Sequence, residues 1–318
     1  MRVSFIIPLY NCLPLTQAML TSLQATLPDG LDHEILFVDD GSTDGTREWL
    51  ETIRSTRIRI VLNERNLGYA AANNRAVAQA SGDLLVLLNN DLVLTPRWLG
   101  PMLDIHTSLG TRAGVIGNVQ RAVASGEIDH TGIVIGRTGK PEHDRTPPSR
   151  FARIKKVSAV TGACLLISRS LWQQLGGFDE AFVNGGEDID LCFKARAAGR
   201  EIAVALRSVV FHHVSSSPGR RLRDEHNSRL LTHRWRRQLS ELGARARCRD
   251  YLVREATAGS AFFAPWESLQ IAFHAADLTR RPPTPALRLI ADALDVEEAR
   301  WEQLLGKESP AQHRANPQ

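Results

Sequence analysis

Three polar knots and one histidine in this sequence are of a type and spacing that could do chemistry. Asn89-Asn90-Asp91 follows directly on the aliphatic run Leu84-Leu85-Val86-Leu87-Leu88. A carboxylate at the end of a buried strand can hold a divalent cation through oxygen; the same pattern also serves as an Asn/Asp turn capping the next helix. Asp39-Asp40 closes a second apolar run, Glu34 to Val38, and a carboxylate there can accept the imide hydrogen of uracil or thymine. Glu187-Asp188-Ile189-Asp190 opens a stretch with apolar residues at Ile189, Cys192, Phe193 and Ala197, a helical spacing. Read alone, Asp188 caps that helix while Glu187 and Asp190 answer its dipole. His212 and His213 end a predicted strand and face opposite ways, so one of them can join Asp91 as a cation ligand.

The elements that must position these residues repeat as strand, loop and helix. Val3 to Pro8, Glu34 to Val38, Arg57 to Leu62 and Leu84 to Leu88 read as strands, each followed by a polar loop and an amphipathic or alanine-rich stretch. The helix after the fourth is expected to start past Pro96. Four such units predict an α/β fold with a mainly parallel sheet and polar groups gathered on its carboxyl edge. Asp39, Asp40, Asn89 and Asp91 should therefore be neighbours. No glycine-rich dinucleotide fingerprint or P-loop follows the first strand.

Further strands are expected at Gly114 to Asn118, Val157 to Ser168 and Arg200 to Phe211. The small residues Thr161-Gly162-Ala163 would let a ligand approach closely. Residues 120–153 read as irregular, with a mobile loop from Thr138 to Arg150 whose Lys140, Arg145 and Arg150 could close over phosphates.

Beyond Arg220 the pattern is helical, with apolar stripes at Leu231, Trp235 and Leu239, at Leu269 and Phe273, and at Leu287, Ile290 and Leu294. These stripes are expected to pack on the catalytic domain or on a second subunit. From Arg220 to Asp250 ten arginines stand against four acids in a chain of net charge +4, a pattern that fits an anionic partner, such as a membrane face or a phosphorylated substrate, as well as a solvated helix face. Four scattered cysteines, without a paired spacing, predict neither a zinc site nor a disulfide framework. The interrupted apolar N-terminus predicts no signal peptide, and no run is long enough to span a bilayer. No nucleic-acid motif is present, so a cytoplasmic protein, peripheral at most at the inner face of the cell membrane, is expected.

Taken in order, Val3 to Asn11, Val38-Asp39-Asp40-Gly41-Ser42-Thr43-Asp44-Gly45-Thr46, Asn66-Leu67-Gly68-Tyr69, Leu88 to Asp91, Gly176-Gly177-Phe178-Asp179-Glu180, Glu187 to Leu191 and His212 resemble the family 2 glycosyltransferases of the GT-A fold, especially the bacterial polysaccharide and rhamnosyltransferase-like members. The resemblance spans about Val3 to Ser217. It implies a Rossmann-like sheet with helices on both faces and a catalytic domain over 1–220 with a nucleotide-sugar half to about 118 and an acceptor half beyond it; the residue pattern itself predicts a helical region over 221–305 and a polar, disordered tail over 306–318. It implies that Pro8, Tyr10, Asn11, Asp39, Asp40, Asn66, Gly68, Asn89 and Asn90 surround a UDP- or dTDP-sugar. Asp91 and His212 would hold Mg²⁺ or Mn²⁺, with Asn89 standing where the family pattern often has Asp. Asp188 would be the catalytic base, with Glu187 its neighbouring alternative.

The expected reaction is an inverting transfer to a hydroxyl of a glycan or lipid-linked acceptor, in cell-surface polysaccharide synthesis. One base suffices, because a metal-held diphosphate leaves as a stabilised anion whereas the alcohol expelled by a glycosidase needs an acid. The competing expectations are a sugar nucleotidyltransferase and a non-catalytic nucleotide-sugar-binding protein of the same fold; oligomerisation is compatible with all three.

Overall fold

The computed structural model describes residues 1–149, 151–213, 220–258 and 264–306. Arg150, the serine-rich loop 214–219 and the tail 307–318 lie outside the described residues. The chain divides into two compact units, Met1–Ile133 with His143–Arg220, and Val134–Glu142 with Arg221–Ala315.

In the first unit the chain runs β1 (Val3–Leu9), α1 (Leu13–Thr26), β2 (His33–Asp39), α2 (Thr46–Ile53), β3 (Ile58–Leu62), α3 (Tyr69–Val77), β4 (Leu84–Leu88), β5 (Leu92–Leu94), α4 (Leu99–Leu109), β6 (Ala113–Ala122) and β7 (Ile128–His130). The short strands β8 (Ile133–Ile135) and β9 (Pro141–His143), most of whose residues belong to the second unit, pair with each other, and in the first unit β10 (Ile154–Lys156), β11 (Cys164–Ser168), α5 (Arg169–Leu175), α6 (Glu187–Ala197) and β12 (Glu201–His212) follow. The main sheet has the order β10-β12-β6-β11-β4-β1-β2-β3. Strands β3, β2, β1 and β4 are mutually parallel, and β6 is parallel to β12; β11 runs antiparallel between β4 and β6, and β10 antiparallel at the edge.

Why β4 is central can be read from its side chains. Alternation sends Leu84, Val86 and Leu88 into the core shared with α1, α2 and α4, and Leu85 and Leu87 into the core shared with α3, α5 and α6. A strand buried on both faces must be apolar throughout, which is why five aliphatic residues stand together. Strand β1 divides the same way, Phe5 and Ile7 to one face and Ile6 to the other.

Several expected boundaries shift. The strand expected from Val157 to Ser168 is ordered as a strand only over Cys164–Ser168, and Thr161-Gly162-Ala163 becomes the turn leading into it. The supposedly irregular 120–153 region contains the end of β6 and the short strands β7, β8 and β9.

The second unit holds α7 (Arg220–Ala258), α8 (Pro265–Ala275) and α9 (Thr284–Leu305). Helix α7 is kinked at Trp235, whose φ is −119°. Its core joins Ala244, Cys248 and Tyr251 to Ile271, Ala275, Ala286, Leu289 and Ile290. Of the stripe residues, Leu231, Leu239, Ile290 and Leu294 are buried, Trp235 and Leu287 are half-buried, and Leu269 and Phe273 are exposed. Helical spacing shows that two residues share a face without saying which way it looks; here Ile271, His274 and Ala275 take the inward side. Among the described residues no helix is long and apolar enough to cross a membrane.

Candidate active site

The parallel strands β1 to β4 release their loops at one sheet edge, in register, with Leu9 opposite Asp39 and Asp39 opposite Leu62. Asn11, at φ 58°, draws the first two loops together. Its backbone N–H donates to Ser42 Oγ at 2.8 Å, and its Oδ1 accepts the Thr43 N–H at 2.8 Å. Pro8 is buried within β1, whereas Tyr10 is about half exposed at the loop tip.

Asp39 and Asp40 have different work beneath this edge. Asp39 is fully buried and accepts from Arg47 Nε at 2.6 Å and from the Ser42 N–H at 3.3 Å, while Arg47 also donates to the Asn63 carbonyl. Asp40 accepts from Asn63 Nδ2 at 2.8 Å and from the Leu67 and Gly68 N–H groups at 2.9 Å each. It thereby fixes the Asn66-to-Gly68 loop, to which Asn66 Oδ1 adds a second contact with the Gly68 N–H at 2.9 Å. Gly41 is required between the loops: its φ is +89°, and a Cβ would lie 2.9 Å from the backbone of Arg65 and Asn66.

The loop after β4 behaves otherwise. Asn90 is tied back to α1, its Nδ2 donating to Thr16 Oγ1 at 3.0 Å. Asn89 Oδ1 and Asp91 Oδ1 are both buried without a hydrogen-bond donor. The short β5 pairs antiparallel with the end of β12, setting His212 opposite Leu92, and the His213 N–H donates to the Asp91 carbonyl at 3.1 Å. That pairing carries His212 to Asp91: Nε2 stands 3.2 Å from Oδ1 without hydrogen-bond geometry, and His212 Nδ1 also lacks a partner. A buried anionic oxygen without a donor, converging with an imidazole nitrogen, is the donor set of a hard-to-borderline divalent cation. Among the described residues no third His, Cys, Asp or Glu completes a cluster around them.

A second arm reaches the same edge from α6, which begins after Gly186 at φ 92°. Asp188 Oδ2 accepts the Gly162 N–H at 2.7 Å and Oδ1 its neighbour Ile189's N–H at 2.8 Å; Glu187 Oε2 accepts the Gly185 N–H at 2.7 Å. Tyr69 donates its hydroxyl to the Gly162 carbonyl at 2.8 Å, and its N–H donates to Asn184 Oδ1 at 3.0 Å. A Cβ on Gly162 would come 3.1 Å from the Tyr69 hydroxyl. Residues 162–163 link the arms, because the Asn89 N–H donates to the Ala163 carbonyl at 2.9 Å. Downstream, Asn74 pins the Gly-Gly-Phe segment through both Phe178 backbone groups, at 3.0 and 2.9 Å.

Burial, and then the charge of Asp188, push Glu187 up to about 8, so it holds its proton at neutral pH. Burial raises Asp188 as well, and the Gly162 and Ile189 N–H groups and the charge of His143 oppose the rise. Burial and these two carboxyls keep the Tyr69 hydroxyl protonated, well above its usual range. Sequence reasoning missed Arg47, Asn63, Thr16 and Asn184; the only signal for Arg47 was a cation in the first turn of the helix after Asp39. Lys140 and Arg145, expected over phosphates, are engaged elsewhere: Lys140 pairs with Glu297 at 2.5 Å and Arg145 with Asp129 at 3.2 Å.

Residues 4–176 match the family model described as Glycosyl transferase family 2. The chain is 33% identical over 262 residues to an uncharacterized protein of Sinorhizobium fredii, covering 78% of this chain and 28% of that protein. It is 31% identical over 229 residues to the O-antigen biosynthesis protein RfbC of Myxococcus xanthus, covering 68% of this chain and 18% of that protein. With the N-acetylglucosaminyl-diphospho-decaprenol L-rhamnosyltransferase of Mycobacterium tuberculosis it shares 29% identity over 58% of this chain and 68% of the relative. The chain thus spans less than a third of the length of the first two relatives. The solved mannosyltransferase PcManGT from Pyrobaculum calidifontis, in complex with GDP-Man and Mn²⁺, shares the fold with a TM-score of 0.54 at 20% identity, over 96% of this chain and 88% of that one. The chain belongs to glycosyl transferase family 2 and has the GT-A fold.

Proposed function

We propose that this chain transfers a sugar, with inversion, from a UDP- or dTDP-sugar to a hydroxyl of a glycan or lipid-linked acceptor in cell-surface polysaccharide synthesis. The observation that carries the reading is the Glu187-Asp188 pair at the sheet edge, in which Asp188 is fixed by the Gly162 and Ile189 N–H groups and Glu187, beside it, is raised by burial. Asp188 takes the proton of the acceptor hydroxyl as that oxygen bonds to the anomeric carbon, and the bond from that carbon to the diphosphate oxygen breaks. Attack from the face opposite the leaving group inverts the anomeric centre. Glu187, already protonated, serves the site by being neutral, since a second charge would raise Asp188 further.

Asp91 and His212 would hold a Mg²⁺ or Mn²⁺ ion, whose chemistry is to offset the charge of the departing diphosphate. The Asn11, Ser42-Thr43 and Asn66-to-Gly68 loops form the nucleotide cradle, held in shape by Asp39 and Asp40. The names of the rhamnosyltransferase and O-antigen relatives support a polysaccharide acceptor.

The test is a panel of nucleotide sugars with Mn²⁺ and synthetic lipid-diphosphate saccharides, with the product's anomeric configuration read by NMR. An inverted glycoside formed from a UDP- or dTDP-sugar is the expected result. A retained configuration overturns the single displacement, and sugar-1-phosphate exchange with a nucleoside triphosphate would reveal a nucleotidyltransferase.

A further inference from the structure

The helical unit reverses the assignment of charge and apolar surface that its sequence suggests. Of the arginines that fit an anionic partner, Arg229 pairs with Glu298, Arg236 with Asp295 and Arg237 with Glu241, while Arg245, Arg247 and Arg249 donate to backbone carbonyls at His274, Leu289 and Ala275. Apart from Arg237, whose pair lies within α7, these side chains join α7 to α8 and α9. The stripe at Leu269 and Phe273, expected to pack on the catalytic domain or on a second subunit, is exposed on this chain.

On α8, Trp266, Leu269 and Phe273 are exposed by 66%, 40% and 44%, and Leu278 just beyond the helix by 71%. Their spacing of three and four residues puts the helical three on one face, opposite the buried Ile271, His274 and Ala275. Glu267, the acid beside Trp266, is neutralised by Arg288. Arg280 and Arg281, which follow the stripe, are exposed and make no ion pair or hydrogen bond among the described residues.

We infer that this face of α8, with Arg280 and Arg281, docks on an anionic phospholipid surface. An aromatic and leucine stripe over a short helix, flanked by unpaired cations, fits an interface where rings enter the headgroup boundary and guanidinium groups meet lipid phosphates. Four apolar side chains are too few for a stable second copy, which takes roughly 20–30 residues a side. The inference deepens the lipid-linked-acceptor reading and is measured without any glycosyl transfer, so either can fail alone.

The experiment is co-sedimentation of the full chain with phosphatidylglycerol/phosphatidylcholine vesicles and with pure phosphatidylcholine vesicles, at low and high salt. Binding to the anionic vesicles that weakens with salt is expected. Trp266→Ser with Phe273→Ser should weaken it by more than about tenfold, and Arg280→Gln or Arg281→Gln by about fivefold each. Unchanged circular dichroism and thermal unfolding in these variants show that the loss is not misfolding; should the double serine variant unfold, the arginine variants alone carry the test. No vesicle binding, or binding equal in wild type and arginine variants, overturns the inference. So does a dimer in analytical ultracentrifugation that Trp266→Ser abolishes, because the face would then belong to a second copy.

Discussion

Two groups of carboxylates lie along the same sheet edge and are treated in opposite ways. Asp39 and Asp40 have their oxygens engaged by Arg47, Ser42, Asn63, Leu67 and Gly68. Asp91 keeps a buried oxygen without a donor, facing His212, and Glu187 keeps its proton. A folded chain tolerates unsatisfied or proton-shifted groups only where the rest of the structure holds them. The comparison therefore separates carboxylates that shape a cradle from those left open to a ligand. Substituting the first group should cost stability, and substituting the second should cost function with stability kept or gained.

The largest expected effect lies on the open side. Asp91→Ala or His212→Ala should raise the Mn²⁺ concentration for half-maximal activity by more than about tenfold, measured by metal titration, with thermal unfolding no earlier than in wild type. A lower melting temperature with unchanged metal dependence would move this pair into the cradle class.

Next comes Arg47→Ala, which strands a fully buried carboxylate and should destabilise the first unit by about 3 kcal/mol in denaturant unfolding. Asp40→Ala removes the acceptor of two loop N–H groups and an amide; a loss of about 2 kcal/mol, with weaker donor binding, is expected.

The last effect is a slope. Glu187 ionises near 4.5 when unfolded and at about 8 when folded, so between those values the folded chain holds the extra proton. Stability is then full below about pH 4.5 with respect to this group and falls as pH rises to about 8. Glu187→Gln should flatten that fall in unfolding curves across the pH range while leaving transfer largely intact. An unchanged slope would mean that Glu187 is ionised at neutral pH.

Much of this contrast was legible in the sequence, and the reasons it was incomplete are physical. The doubly buried β4 announces itself through five aliphatic residues, and the loops that follow β1 to β4 are rich in Asn, Asp and Gly because tight turns need them. The approach of His212 to Asp91 depends on β5, three residues long and too short for any periodicity, pairing with the far end of β12. The bridge through Gly162 and Ala163 was hidden inside an apparent strand, since small residues before a β-run look like its continuation. That Asp39 is consumed by Arg47 could not be read from spacing along the chain. On α8 the i, i+4 pair Leu269 and Phe273 identified a face, but only tertiary contacts decide whether a face is inner or outer.

The proposal at the centre of the proposed function is that Asp188 is the base of the transfer and no part of the cradle. Donor binding and sugar transfer measured in parallel on Asp188→Asn test it most directly. The account predicts donor affinity within about threefold of wild type and transfer reduced by about 10²- to 10⁴-fold. Transfer at the wild-type rate, or loss of donor binding matching the loss of transfer, would contradict it.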